Sequence, residues 1–116
     1  PSCMAVCPAG AFLKRDDGIV VLDRSKCTGC GLCRSACPYD AIVISKKDGK
    51  AAKCNMCIEL LDAGLNPACV DGCPIKCLKV GNTAQVLNQT PDASRQGLGY
   101  RDGPNRPNMV IIRRRR

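Results

Sequence analysis

Short apolar runs, broken by polar turn residues, make up most of this chain. Two of the runs, at 11–14 and 19–22, flank the turn residues 15–18, which end in Gly18. A second pair, at 41–45 and 50–53, flanks 46–49, which end in Gly49. Runs of this length around a glycine-containing turn are typical of antiparallel hairpins. The pattern therefore predicts two small β-hairpins.

Three further segments have the character of short helices. Residues 31–36 are predicted to form one or two turns that end before Pro38, since proline disfavours helical backbone in the residue before it. Residues 56–63 are predicted to be helical up to Gly64, a helix-terminating residue. Residues 67–72 begin with Pro67, which suits a first helical turn. Short strands and short helices together predict an α+β fold.

The composition leaves these elements without an ordinary hydrophobic core. The 116 residues include one Phe, two Tyr and no Trp, but 11 Cys. Small domains of this kind are usually stabilised by disulfides or metal. A secreted disulfide scaffold favours an even cysteine count and less regular spacing. Zinc ribbons use paired C-x2-C knuckles, and iron–sulfur clusters use longer runs of thiolates.

Histidine is absent from the sequence, which excludes several kinds of chemistry. Rieske ligation, His-bound haem and the common catalytic zinc sites all need imidazole. A Ser-His or Cys-His catalytic pair needs it too. We therefore expect no catalytic residue in this chain, and a role in passing electrons rather than in transforming a substrate.

The central cysteine run has the spacing C-x2-C-x2-C-x3-C-P. Its members are Cys27, Cys30, Cys33 and Cys37. This is the bacterial ferredoxin run, in which the first three thiolates hold one [4Fe–4S] cluster and the fourth ligates the neighbouring cluster. By the same crossover, Cys7 is the candidate fourth ligand of the first cluster. Cys37 is then expected to join Cys3 on a second cluster.

A second motif repeats the four-ligand plan with an insertion. Its members are Cys54, Cys57, Cys69 and Cys73. The spacing alone also suits zinc, but beside a complete ferredoxin run we interpret it as iron–sulfur ligation. The remaining cysteine, Cys77, is predicted to be a small buried apolar residue. Similar five-residue units that begin with Cys-Pro occur at 7–11, 37–41 and 73–77, which indicates duplication of a small unit.

The composition changes near Gly81 and Asn82. Every cysteine lies in 1–81, which is predicted to be a ferredoxin-type cluster-binding domain, and 82–116 is predicted to be an irregular basic tail. The net charge is +8, and the chain ends in four arginines at 113–116. Four basic residues are few for binding anionic lipid, and the scarcity of aromatic residues argues against nucleic acid as a partner. No apolar run approaches the ~20 residues of a membrane span.

Several stretches resemble one known family. Residues 1–8, 17–21, 26–30, 36–39, 53–57 and 66–74 resemble the iron–sulfur electron-transfer subunits of molybdopterin oxidoreductases, most of all those of the dimethyl sulfoxide reductase type. Residues 103–112 resemble, more loosely, a segment near the end of those chains. Position 77 is usually alanine in that family.

The resemblance implies four [4Fe–4S] clusters in two ferredoxin-like pairs. It also implies that the chain is cut at its N-terminal end and contains the last two cysteines of the second group, all of the third and all of the fourth. Cys54, Cys57 and Cys69 would share a cluster with a cysteine outside this chain, and Cys73 would belong to another. The one complete ligand set within the chain would be Cys7, Cys27, Cys30 and Cys33.

The same resemblance implies the partners. These are a molybdopterin-containing catalytic subunit and a membrane anchor that exchanges electrons with quinol, with this chain as a peripheral membrane-associated subunit. The alternatives are a ferredoxin-like relay of a hydrogenase or carbon monoxide dehydrogenase, and a structural zinc protein. We further expect the positive charges of Lys26, Arg34 and Lys53, which lie near predicted ligands, to favour the reduced state of a cluster.

Overall fold

The computed structural model describes residues 1–94 and 110–112. The helices in this part of the chain are α1 (Ser2–Ala5), α2 (Leu32–Ala36), α3 (Ile58–Asp62), α4 (Ala68–Asp71) and α5 (Thr83–Gln89). The strands are β1 (Phe12–Lys14), β2 (Val20–Leu22), β3 (Val43–Ile44), β4 (Ala51–Ala52), β5 (Ala93–Ser94) and β6 (Ile111–Ile112). They form antiparallel pairs in the order β1–β2, β3–β4 and β5–β6. The described residues fall into two compact units that divide between Glu59 and Leu60.

The first predicted hairpin is confirmed as β1 and β2. Phe12 lies opposite Leu22 in the ladder. The turn is closed by the N–H of Arg15, which donates to the carbonyl of Ile19 at 2.8 Å. Gly18 adopts a φ of +87°, which glycine reaches without the steric penalty of a Cβ. The Asp-Gly end of the turn therefore determines where the strand reverses.

The second predicted hairpin is confirmed as β3 and β4, although its strands are shorter than the apolar runs. Val43 lies opposite Ala52. The N–H of Ser45 donates to the carbonyl of Lys50 at 2.9 Å, closing a turn that is one residue longer than the first. Both hairpins belong to the unit Pro1–Glu59.

Two short helices in this unit pack against each other. The predicted helix at 31–36 is confirmed as α2, which ends as expected before Pro38 because Cys37 is extended, with φ −83° and ψ 114°. The other helix, α1, was not predicted. It begins at the chain start, where the carbonyl of Pro1 accepts from the N–H of Met4 at 3.0 Å, and no side chain caps it. The sequence therefore lacks the usual signal for a helix start there.

The core of the first unit is small and rich in sulfur. Its buried members are Phe12, Cys33, Ile42 and Ala51. Packed against them are Cys3, Met4, Cys7, Val20, Leu22, Cys27, Cys37 and Ile44. Large hydrocarbon side chains such as Phe12 and Ile42 contribute about 1.5–3 kcal/mol each when fully buried. Since these are few, cysteine side chains complete the core, as the composition indicated.

The second unit begins within α3. The predicted helix is confirmed at Ile58–Asp62, whereas its expected first residues, Met56 and Cys57, have positive φ and lie outside it. It ends two residues before Gly64, whose φ is +74°. The N–H of Leu65 donates to the carbonyl of Leu60 at 2.8 Å, and that of Gly64 to the carbonyl of Leu61 at 3.0 Å. These two bonds form a Schellman cap, which satisfies carbonyls at the helix end. The predicted helix at 67–72 is also confirmed as α4, with Pro67 before its first residue.

The prediction of an irregular tail at 82–116 is wrong for part of that segment. Helix α5 begins after Asn82, whose side chain accepts from the N–H of Ala84 at 2.9 Å, and an asparagine cap favours a helix start. Farther on, β5 pairs with β6, with Ala93 opposite Ile112. Two parts of the predicted tail lie outside the described residues. These are the Arg113–Arg116 run and most of residues 103–112, which resemble a segment of the related family. The domain boundary near Gly81 stays a prediction.

Across residues 1–94 and 110–112, none of the helices has both the length and the apolar character that a membrane crossing requires.

Candidate metal centre

Five predicted ligands meet in the core of the first unit. Cys33, on α2, is only 6% exposed. Packed around the same core are Cys3, Cys7, Cys27 and Cys37. The contact between α1 and α2 accounts for this, because Cys3 lies on α1 and Cys33 on α2. Cys30, the remaining member of the ferredoxin run, is exposed.

The electrostatics around Cys33 favour a positively charged ligand. Burial raises the pKa of the Cys33 thiol. Hydrogen bonds from the N–H groups of Arg34 and of Cys33 itself lower this pKa, and repulsion from Cys30 and Cys27 raises it. Iron among these cysteines would compensate both burial and repulsion, since a bound cation favours the thiolate.

Backbone N–H groups point at several of the sulfurs. Ala11 donates to Sγ of Cys7 at 3.4 Å, and Ala51 donates to Sγ of Cys27, also at 3.4 Å. Hydrogen bonds to sulfur stabilise its negative charge and are among the means by which a protein sets the potential of an iron–sulfur cluster. The first core therefore supplies both thiolates and donors directed at them.

The Cys-Pro units share one backbone conformation. In each unit the N–H of the fourth residue returns to the carbonyl of the cysteine, at 3.3 Å in 7–11, 3.4 Å in 37–41 and 3.1 Å in 73–77. The fourth residues are Gly10, Asp40 and Lys76, with φ values of +58°, +48° and +49°. Positive φ is uncommon for residues other than glycine. The repetition in the sequence is thus also a repetition of an unusual turn.

The first half of the second motif forms a tight loop in the unit Pro1–Glu59. The N–H of Met56 donates to Sγ of Cys54 at 3.3 Å. The side chain of Asn55 accepts from the N–H of Cys57 at 2.9 Å. Met56 and Cys57 adopt φ values of +62° and +52°, and such backbone strain is concentrated at functional sites and ligand clamps. The loop is therefore shaped to direct an amide at the Cys54 sulfur.

The second half of the motif lies in the other compact unit. Cys69 is an exposed residue of α4, and Cys73 is partly exposed just after it. Cys77 is also exposed, so the prediction that it is a buried apolar residue is wrong. Its Sγ lies 3.5 Å from Sγ of Cys73. The two sulfurs are close because the Cys-Pro turn brings Cys77, the fifth residue of the unit, back beside Cys73, the first.

Comparison with known protein families identifies this arrangement. Residues 1–83 match the family model of the 4Fe-4S dicluster domain. The chain belongs to this family. The expectation of [4Fe–4S] clusters is therefore confirmed, and the description of a small ferredoxin-like domain with short helices and antiparallel hairpins is confirmed with it.

Several curated proteins are similar to this dicluster domain. The B subunit of tetrathionate reductase from Salmonella typhimurium is 51% identical over 73 residues, which is 63% of this chain and 29% of the relative. The B subunit of anaerobic dimethyl sulfoxide reductase from Escherichia coli is 37% identical over 111 residues, 96% of this chain and 54% of the relative. The thiosulfate reductase electron transfer subunit PhsB of Salmonella typhi is 45% identical over 80 residues, 68% of this chain and 42% of the relative.

The resemblance to iron–sulfur subunits of reductases is thereby confirmed. The chain spans between 29% and 54% of the length of these three relatives.

The three basic residues expected to influence a cluster have different surroundings. Lys26 lies 3.9 Å from a carboxylate oxygen of Asp23, and Arg34 lies 3.9 Å from one of Asp40. Lys53 instead donates to two carbonyl oxygens, that of Val20 and, at 2.7 Å, that of Cys54. Lys53 is therefore the basic residue whose charge is directed toward the cysteines.

Burial lowers the pKa of Lys53, while the thiolates of Cys3 and Cys54 act in the opposite direction. A partly buried ammonium interacts more strongly with its neighbours than one in bulk water, because the local dielectric is lower. Lys53 thus adds positive potential near Cys54 of the second motif and near Cys3 on α1.

The donor set fits an iron–sulfur cluster. In the described ranges, no group of three or more cysteine or acidic side chains is compact enough to hold a single metal ion. A cubane does not need such a group, because each of its four thiolates binds a different iron. What it needs is present around Cys33: thiols, few competing ligands and N–H donors at the sulfurs.

Proposed function

We propose that this chain is the iron–sulfur electron-transfer part of a reductase complex, and that Cys7, Cys27, Cys30 and Cys33 hold one complete [4Fe–4S] cluster. The observation that carries the proposal is the packing of Cys7 and Cys27 around the buried Cys33 in a single core. When bound, such a cluster accepts and releases one electron at a time. The chain itself then needs no acid, base or nucleophile.

The other predicted ligands extend this arrangement. Cys3 and Cys37 pack on the same core as Cys33, so we propose that they serve an adjacent second cluster, as the crossover rule requires. We further propose that Cys54, Cys57 and Cys69 serve a third cluster and Cys73 a fourth, in keeping with the resemblance stated above. The count of four clusters and the N-terminal ferredoxin-type domain at 1–81, of α+β class, are parts of the same proposal.

The residues of the chain act on the potential rather than on a substrate. The core around Cys33 excludes water, which disfavours charge. The N–H groups of Ala11 and Ala51 stabilise negative charge on two sulfurs, and this favours the reduced, more anionic form. Lys53 acts in the same direction at Cys3 and Cys54. The N–H groups and the charge of Lys53 therefore act to raise the cluster potential, whereas the exclusion of water acts to lower it.

Electron transfer requires a partner on each side of the relay. We propose a molybdopterin-containing catalytic subunit as one partner and a membrane anchor as the other, with this chain peripheral to the membrane. The support is the similarity to B subunits of tetrathionate and dimethyl sulfoxide reductases and to a protein named as an electron transfer subunit. A relay of a hydrogenase or carbon monoxide dehydrogenase is not favoured, because the similar proteins named above belong to reductases.

Metal analysis and EPR of the intact protein test this proposal. After anaerobic purification, we expect iron and acid-labile sulfide in equal amounts and the EPR signals of reduced [4Fe–4S] clusters. Cys27→Ser should remove one cluster's signal, whereas Ser35→Ala, an exposed change on α2, should leave the spectrum unchanged. Zinc without acid-labile sulfide, or a spectrum unaffected by Cys27→Ser, would contradict the proposal.

A further inference from the structure

In two of the three Cys-Pro units, the fifth residue lies beside the sulfur of the first. In the unit 7–11 this residue is Ala11, whose N–H donates to Sγ of Cys7 at 3.4 Å. In the unit 73–77 it is Cys77, whose thiol lies within hydrogen-bonding reach of Sγ of Cys73. The turns have matching hydrogen bonds and matching positive φ values. Because the unit 37–41 has the same turn, we expect its fifth residue, Ala41, to lie close to Cys37 as well.

Only the third unit has a sulfur at that position. The fifth residues of the first two units are Ala11 and Ala41. At the third, Sγ of Cys77 lies 3.5 Å from Sγ of Cys73. Cys77 is exposed, whereas Ala11 is only 1% exposed, so packing does not hold the Cys77 thiol in one rotamer. Rotation about its Cα–Cβ bond between staggered positions can therefore turn the sulfur toward an iron that Cys73 binds, which would lie within reach of both sulfurs.

We propose that Cys77 is a reserve ligand that can replace Cys73 on the iron of a [4Fe–4S] cluster. The inference rests on the proposed function, because it takes Cys73 to be a cluster ligand. In the exchange, the Fe–S bond to Cys73 breaks and the Cys73 thiolate takes up a proton from solvent, while the Cys77 thiol releases its proton to solvent and forms the new Fe–S bond. The iron keeps one thiolate throughout, and no electron is transferred. A cluster with two available thiols at one corner survives the loss of either.

A comparison of two Cys-Pro cysteines tests the inference in the intact protein. Cys37→Ala removes a cysteine whose fifth residue is Ala41, and Cys73→Ala removes one whose fifth residue is Cys77. We expect Cys37→Ala to lose a cluster, measured as iron, acid-labile sulfide and EPR intensity. Cys73→Ala should keep its cluster, and the double variant Cys73→Ala/Cys77→Ala should lose it. A Cys73→Ala protein that loses as much iron as Cys37→Ala overturns the inference.

Alkylation of thiols gives a second readout. In the unmodified, cluster-loaded protein, iodoacetamide should label Cys77, because it is exposed and not bound to iron. In Cys73→Ala the same residue should become protected, as measured by mass spectrometry of its peptide. Continued labelling of Cys77 in a Cys73→Ala protein overturns the inference even where the iron content is unchanged.

A second pair of variants, at positions 37 and 41, tests the inference if Cys73→Ala does not fold. Ala41 is exposed, so Ala41→Cys is expected to be accommodated, and adding it to Cys37→Ala should restore the lost cluster. No restoration counts against the inference. Failure of the proposed function would look different, because the unmodified protein would then contain no iron and sulfide in the first place.

Discussion

Gly29 and Gly49 meet backbone to backbone: a Cβ on Gly29 would lie 2.5 Å from the carbonyl oxygen of Gly49 and 3.3 Å from its carbon. Gly29 lies between Cys27 and Cys30 in the ferredoxin run, and Gly49 lies in the turn of the second hairpin. The N–H of Ala51, on the same hairpin, donates to Sγ of Cys27. The second hairpin thus supports the cysteine loop directly.

The first prediction is that Gly29→Ala weakens cluster retention far more than Gly31→Ala. Both glycines have left-handed φ, +76° and +77°, so each substitution should cost about 1–2 kcal/mol in backbone strain. A Cβ on Gly31 meets no atom within 4 Å, whereas one on Gly29 collides with backbone and should add about 1–3 kcal/mol. Denaturant titration and the rate of visible bleaching measure both effects. Equal behaviour of the two variants would contradict the close approach.

The second prediction concerns the small hydrocarbon core. Ile42 is 2% exposed and packs with Phe12 and Cys33, whereas its neighbour Val43 is 58% exposed. Ile42→Ala should lower the free energy of unfolding by about 2–5 kcal/mol through lost burial and a cavity. Val43→Ala should change it by less than about 0.5 kcal/mol. Anaerobic denaturant unfolding of the cluster-loaded protein measures the difference, and similar losses at both positions would refute the assigned core.

The elements that the sequence predicted correctly are those specified by local signals. The hairpins at 11–22 and 41–53 follow from Gly18 and Gly49 at the ends of their turns, and the end of α3 follows from Gly64. Helix α1 carries no capping side chain, so nothing in the sequence marks its start. The β5–β6 pair joins two-residue strands far apart in the chain, and strands this short carry no visible alternation.

The predictable part of the candidate site is likewise the part that local sequence signals specify. Cysteine spacing predicts which cysteines are ligands, because the loop that wraps a cluster is local. The donors at their sulfurs come partly from elsewhere: the N–H of Ala51 reaches Cys27 only because the second hairpin folds back on the loop. The exposure of Cys77 does not follow from the sequence, because it depends on packing. Its position beside Cys73, in contrast, follows from the recurring Cys-Pro unit.

The third prediction concerns Asn82, which starts α5 within a segment whose composition alone predicts irregular structure. Its side chain caps the helix by accepting from the N–H of Ala84. Asn82→Ala should cost about 1 kcal/mol, observed as faster hydrogen exchange of the α5 amides. Asn88→Ala, an exposed change inside the same helix, should not speed exchange, because alanine favours helix. Faster exchange in Asn88→Ala but not in Asn82→Ala would contradict the cap.

The last prediction is that the charge of Lys53 raises a cluster potential. Lys53→Gln keeps N–H donors for the carbonyls of Val20 and Cys54 but removes the charge near Cys3. Losing about 1.4 kcal/mol of attraction corresponds to a midpoint about 60 mV lower for one electron, and EPR-monitored redox titration measures it. Lys53→Arg should restore the potential.

The control variant is Lys26→Gln. It should shift the potential less, because Lys26 is 61% exposed and beside Asp23, where water screens its charge. Equal shifts for Lys26→Gln and Lys53→Gln would mean that proximity to a ligand in sequence, rather than the burial of Lys53, determines the effect.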